Sequence, residues 1–119
     1  MGASDAIALL NKAIEHGGEP FTALDVLAEL LTGRATVFVV GGSFLICTLH
    51  ADGDQREAHA WLGAGNIDDI AGPLAAQAEF WAAANGATMA SIDGRKGWGR
   101  VLKKNGYAVN GDELKKALN

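Results

Sequence analysis

The 119-residue chain contains one cysteine, two prolines and one tyrosine. A lone thiol, Cys47, excludes an internal disulfide and fits a reducing compartment. That cysteine and three scattered histidines, His16, His50 and His59, show no zinc-ligand spacing, so no metal site is expected. Two prolines against sixteen glycines point to tight turns between short elements rather than a disordered coil. No apolar run approaches the ~18 residues of a membrane span, so no membrane partner is expected. The first residues, Met-Gly-Ala-Ser-Asp, lack a basic stretch, and no signal peptide is expected. Positive charge is scarce as well. Ten Lys and Arg stand against 14 Asp and Glu, a net charge of -4, which disfavours nucleic acid and anionic membrane as general partners.

With 49% hydrophobic and 20% charged residues, the composition is that of a globular domain, and residues 1–119 read as one domain with a single core. The most informative stretch runs from Gly86 to Val109. Residues 87–92 are apolar or small and bounded by Gly86 and Asp93-Gly94, which suits a buried strand. From Gly97 to Asn105 the spacing predicts a helix with Trp98, Val101, Leu102 and Asn105 on one face. Arg100, Lys103 and Lys104 lie on the other. Gly106 is its expected left-handed cap, and Tyr107 restarts an extended segment.

Upstream, Ser4 can cap a helix to His16 with Ile7, Leu10 and Ile14 as its apolar stripe, ended by Gly17-Gly18. Thr22 caps a second helix, with Asp25 in its first turn, Phe21 stapled to Val26, and Leu24, Leu27, Ala28 and Leu31 as the expected buried face. A β-meander follows over 35–40, 43–51 and 54–62, turning at Gly41-Gly42 and Asp52-Gly53. Those turns predict Val40 opposite Ser43 and Val37 opposite Ile46. They also predict Thr48 opposite Glu57, Ile46 opposite His59 and Phe44 opposite Trp61. One face then carries Val37, Val39, Phe44, Ile46, Thr48, His50, Glu57, His59 and Trp61. The other carries Phe38, Leu45, Cys47, Leu49, Ala58, Ala60 and Leu62. Both are apolar in the middle, so helices should cover both.

A long helix is expected over 67–85, capped by Asn66 or Asp68, with Pro73 either kinking it or opening its main body. Strand, helix and strand 87–92 form a right-handed crossover, which puts 87–92 parallel to 55–62. The tail, residues 111–119, reads as a short helix capped by Asp112, or as a frayed end. The fold class is therefore mixed α/β (α+β): an antiparallel three-strand meander, a parallel strand after a crossover helix, and helices on both faces.

An Ala-rich helix ending in Asn85-Gly86, then a strand, a basic helix and Lys103-Lys104-Asn105-Gly106-Tyr107, resembles the C-terminal half of GNAT acyltransferases. The order helix, helix, meander, helix, strand, helix, strand is also the GNAT order. Gly94-Arg95-Lys96-Gly97-Trp98 followed by Arg100 is similar to small GNAT-like proteins of tailed bacteriophages, some of them virion components. The likeness spans residues 35–109.

The resemblance implies three sites. A phosphate-cradling loop that binds acetyl-CoA would fall at Gly63-Ala64-Gly65-Asn66-Ile67-Asp68-Asp69. It has glycines, Gly63 and Gly65, but no Arg, Lys or Gln, and Asp68 and Asp69 would repel phosphates. Arg95 and Lys96 are the cations that could compensate. The position implied for the Tyr that protonates the leaving thiolate is Leu102, which cannot donate a proton, and Tyr107 matches the terminal aromatic. A general base is implied on the third meander strand, where Glu57 sits two residues before His59 on one face. The competing reading makes Glu57 and His59 a solvated sheet end. Cys47, among Leu and Ala on the opposite face, reads as a small buried hydrophobe.

The expectation is a GNAT-like domain with a degenerate acetyl-CoA site, no bound cofactor and a protein partner. It would act as a phage accessory or virion-associated protein in host cytoplasm or virion. The alternatives are an N-acyltransferase using acetyl-CoA, with Glu57 or His59 as base, and a nucleic-acid-binding module using the basic helix 95–104.

Overall fold

A computed structural model describes Ala8, residues 10–12, Ile14, residues 22–93 and residues 98–118. The Ser4 cap, the Gly17-Gly18 stop, the Phe21 staple and the Arg95-Lys96 pair lie outside the described residues. Ala8, residues 10–12 and Ile14 are helical.

Helix α1, Ala23–Leu31, opens as its sequence dictates. The Thr22 N–H donates to the Asp25 carboxylate at 2.7 Å while the Asp25 N–H donates to Thr22 Oγ1 at 3.4 Å, a reciprocal capping box. Its buried face is not the expected one. Val26 is fully buried, whereas Leu24, Leu27 and Leu31 are 76%, 42% and 86% exposed. Ala23, Val26 and Leu30 repeat at the same spacing as Leu24, Leu27 and Leu31. The helix is apolar nearly all round, so periodicity alone could not choose between the stripes.

Strands β1 (Ala35–Val40), β2 (Ser43–Asp52) and β3 (Gln55–Ala64) form the antiparallel meander. The first hairpin has the expected register, Val40 opposite Ser43 and Val37 opposite Ile46. The second is shifted. Asp52 pairs with Gln55, so His50 rather than Thr48 faces Glu57, and Thr48 rather than Ile46 faces His59. The glycine explains the shift. Gly41 and Gly53 both have positive φ, +57° and +63°, whereas neither Gly42 nor Asp54 does. Both turns therefore put glycine at the first central position, as type II′ geometry asks, which makes Gly53-Asp54 the turn. A bulge beside Ile46 and Cys47 then carries Leu62 to the face of Ile46, and Ala64 rather than Trp61 faces Phe44.

After β3 the chain is helical as α2 (Ile67–Asp69), a π-helical turn (Ile70–Leu74) and α3 (Ala75–Ala84). Pro73, which has no N–H to give the helical ladder, lies inside the π turn. Strand β4 (Met89–Asp93) pairs parallel with β3, Glu57 with Met89 through Ala60 with Ile92, as the crossover required. Helix α4 (Trp98–Lys104) buries Leu102 and leaves Arg100, Lys103 and Lys104 exposed. Trp98 is half-buried rather than fully buried, and Asn105 is exposed.

The tail is not a helix. Strand β5 (Ala108–Asn110) turns through Gly111-Asp112 into β6 (Glu113–Ala117), which inserts between β4 and β5. Gly111, at φ +64°, repeats the same turn device. Leu114, buried between Ile92 and Val109, supplies the driving force that local helix signals could not anticipate. The result is a six-stranded, mostly antiparallel mixed sheet in the order β1-β2-β3-β4-β6-β5.

Helices cover both sheet faces. One core joins Leu45, Cys47 and Ile92 to Ile70, Leu74 and Leu102 of the later helices. The other joins Phe44, Ile46 and Leu62 to Val26, Leu10 and Ile14.

Candidate functional site

The second core occupies only one end of its sheet face. Toward the other end the face turns polar. Register puts Thr48, His59, Ser91 and Lys115 in one row across β2, β3, β4 and β6, with His50 and Glu57 in the next. Strand alternation aims these side chains to the same side. The two sequence-predicted residues, Glu57 and His59, are brought together here. Ser91, Glu113 and Lys115 join them, and none of the three was singled out from sequence. The signal was hidden because residues 113–117 read as a helix, which removes their period-2 alignment.

Glu57 is the hub. Lys115 Nζ donates to its Oε1 at 2.9 Å and the Ser91 hydroxyl donates to its Oε2 at 3.1 Å. Desolvation pushes the Glu57 carboxyl up, but the hydrogen bonds from Lys115 and Ser91 and the charge of Lys115 outweigh it. The group is held below its usual value. The same contact raises Lys115. Because the single Ser91 proton goes to Glu57, His59 Nδ1 must be the donor in its 2.9 Å contact with Ser91 Oγ. Nδ1 also lies 3.2 Å from Glu113 Oε2. Nδ1 of His59 therefore carries a hydrogen and faces both Ser91 and Glu113. The His50 ring stands edge-on with its centroid 6.2 Å from that of His59, and its Nε2 is 2.8 Å from Thr48 Oγ1.

This geometry limits the chemistry. Ser91 is 2% exposed and its proton is committed to a carboxylate, so it is no nucleophile toward an external substrate. Glu57 is held ionised by a cation, which weakens it as a base. Cys47 lies in the opposite core, where burial pushes its thiol up to about 12, far from thiolate reactivity. Among the described residues no three His, Cys, Asp or Glu side chains cluster to hold a metal ion.

The glycine loop has a different character from a phosphate cradle. Gly63 belongs to β3 and pairs with Leu45. A Cβ there would lie 3.3 Å from the Trp98 indole and 3.2 Å from Leu45, so this glycine makes room for the tryptophan. Gly65, at φ +115°, lets the chain pass directly over Ser43. The Ser43 hydroxyl accepts from the Asn66 N–H at 2.9 Å and donates to the Asp69 carboxylate at 2.9 Å. The Asp68 N–H donates to Asn66 Oδ1 at 2.8 Å. Two amides at the start of α2 are therefore taken by the protein's own side chains, and a carboxylate closes the arrangement. Asp69 was read from sequence only as a charge that would repel phosphate; its pairing with Ser43, 26 residues away, was not foreseen.

Leu102, at the position implied for a proton donor, is buried and apolar. Tyr107 is buried and donates to Glu79 Oε2 at 3.1 Å. Lys116 bridges to Glu79 at 2.8 Å, and burial followed by the Glu79 charge raises the Tyr107 hydroxyl above its ordinary value. Among the described residues no helix is long and apolar enough to cross a membrane. No family model matches the chain, and no curated protein or solved structure matches it either.

Proposed function

We propose that this chain is a GNAT-like domain that binds a protein partner rather than transferring an acyl group. It would be an accessory or virion-associated protein of the kind found among small phage GNAT-like proteins. The observation that carries the reading is the helix start after β3. A pyrophosphate there would have to displace Ser43 from the Asn66 N–H and Asn66 from the Asp68 N–H, and then sit beside Asp68 and Asp69. Two like charges ~6 Å apart at an effective dielectric near 20 repel by roughly 3 kcal/mol before screening. Leu102 supports the same reading, since it offers no proton to a leaving thiolate. Exposed apolar side chains such as Leu24, Leu31 and Phe80 support a protein as the partner.

A second reading, N-acyl transfer from acetyl-CoA, is favoured by one feature. Glu57 and His59 lie together, part-exposed, on one polar sheet face where β3 pairs with β4. Calorimetric titration with acetyl-CoA separates the two. The binding reading expects no saturable heat. A dissociation constant below about 100 μM, roughly 5.5 kcal/mol of affinity, would establish the acyltransferase reading instead.

A further inference from the structure

We infer that two copies of this chain associate through β1, edge to edge and antiparallel, about a two-fold axis at Val37. Strand β1 ends the sheet on one side. Val40 and Ser43 flank a two-residue turn and so form a hydrogen-bonded pair. Alternation then directs the N–H and C=O groups of Val40, Phe38 and Thr36 to β2. Those of Ala35, Val37 and Val39 face outward.

These three residues are placed symmetrically about Val37. In an antiparallel pair, Val37 meets Val37 of the second copy and Ala35 meets Val39. All outward backbone groups of the three are then satisfied, with no register slip and no bulge.

Within its own six residues the edge carries none of the sequence devices that normally prevent this. Residues 35–40 contain no charge, no proline and no bulge against β2, whereas the opposite edge, β5, is only three residues long. Val37 and Val39 are 44% and 52% exposed on the face that α1 packs against. Beside them α1 exposes Leu24, Leu27 and Leu31. A two-fold axis normal to the sheet places both α1 helices, each with its exposed Leu24, Leu27 and Leu31, on the same face of the joined sheet. Arg34, which precedes the strand, and Glu29 of α1 neutralise each other within one chain at 2.6 Å. What a second copy offers at this edge is therefore what the edge lacks: matched backbone groups and uncharged apolar cover. The inference does not depend on the fate of acetyl-CoA, and calorimetry with that cofactor leaves it untouched.

Sedimentation velocity on the full chain at about 1–100 μM, a range spanning transient to firm association, tests it. The expected result is a species of twice the chain mass. Val37→Lys places two ammonium groups together on the axis and should weaken the dimer about 100-fold or more. Val109→Lys, at the opposite edge, should leave it intact. A nitroxide on Val37→Cys should show strong spin–spin broadening, and one on Val109→Cys should not. The spin-label pair decides the matter should Val37→Lys fail to fold. A monomer throughout, a dimer indifferent to Val37→Lys, or absent broadening at residue 37 would each overturn the proposal.

Discussion

Gly65 crosses Ser43 so closely that a Cβ on the glycine would fall 2.6 Å from the serine Cα and nearer still to its Oγ. Gly65→Ala should therefore destabilise the fold by roughly 2–5 kcal/mol, from overpacking and from a φ that L-residues avoid. Removing the hydroxyl gives no relief, because the serine Cα remains in the way. Ser43→Ala alone should cost about 1–3 kcal/mol, since the Asn66 N–H and the Asp69 carboxylate lose their partner. Urea denaturation of both single variants and the double variant checks this. A double variant as stable as Ser43→Ala would contradict the clash.

Glu57 links stability to pH. Its folded-state carboxyl lies below the ordinary 4.5, so its contribution is complete above that value. It is lost as pH falls from there through the lower folded value. Lys115→Met removes the hydrogen bond and charge that hold the group down. The expected outcome is a urea midpoint that falls less steeply than wild type on acidification below about 4.5. Parallel acid limbs in the two proteins would show that the Lys115 contact does not govern Glu57.

Helix α4 separates core from solvent at adjacent positions. Leu102→Ala should cost about 2–5 kcal/mol because Leu102 is buried against the sheet. Lys103→Ala should stay within about 0.5 kcal/mol. Thermal or urea unfolding distinguishes them, and equal small losses would refute the assignment of the helix face.

Much of the fold was legible because its signals are local. The first hairpin, the parallel crossover of β4, the caps at Thr22 and Asn66 and the Gly106 stop all depend on a few neighbouring residues. The departures arose where the deciding partner is distant or where two local answers are equal. Asp52-Gly53 and Gly53-Asp54 both spell a turn, and only the glycine's place in it fixes the register. Two apolar stripes compete on α1, and only Phe44 and Ile46 beneath it choose Val26. Residues 112–116 carry a helix cap and helix formers, but Ile92 and Val109 recruit Leu114 into the sheet. The candidate site was half visible for the same reason. Glu57 and His59 share a strand, whereas Ser91 and Lys115 reach them only through pairings of β4 with β3 and β6.

The insertion of β6 between β4 and β5 also sets an order on synthesis. Strand β4 leaves the ribosome with one neighbour, β3, already made, and its other neighbour emerges only after a helix and β5 have followed. Until residues 113–117 are free, Ile92 has an open flank and Glu57 lacks the ammonium of Lys115. A nascent chain paused before that point leaves one side of β4 without its partner strand.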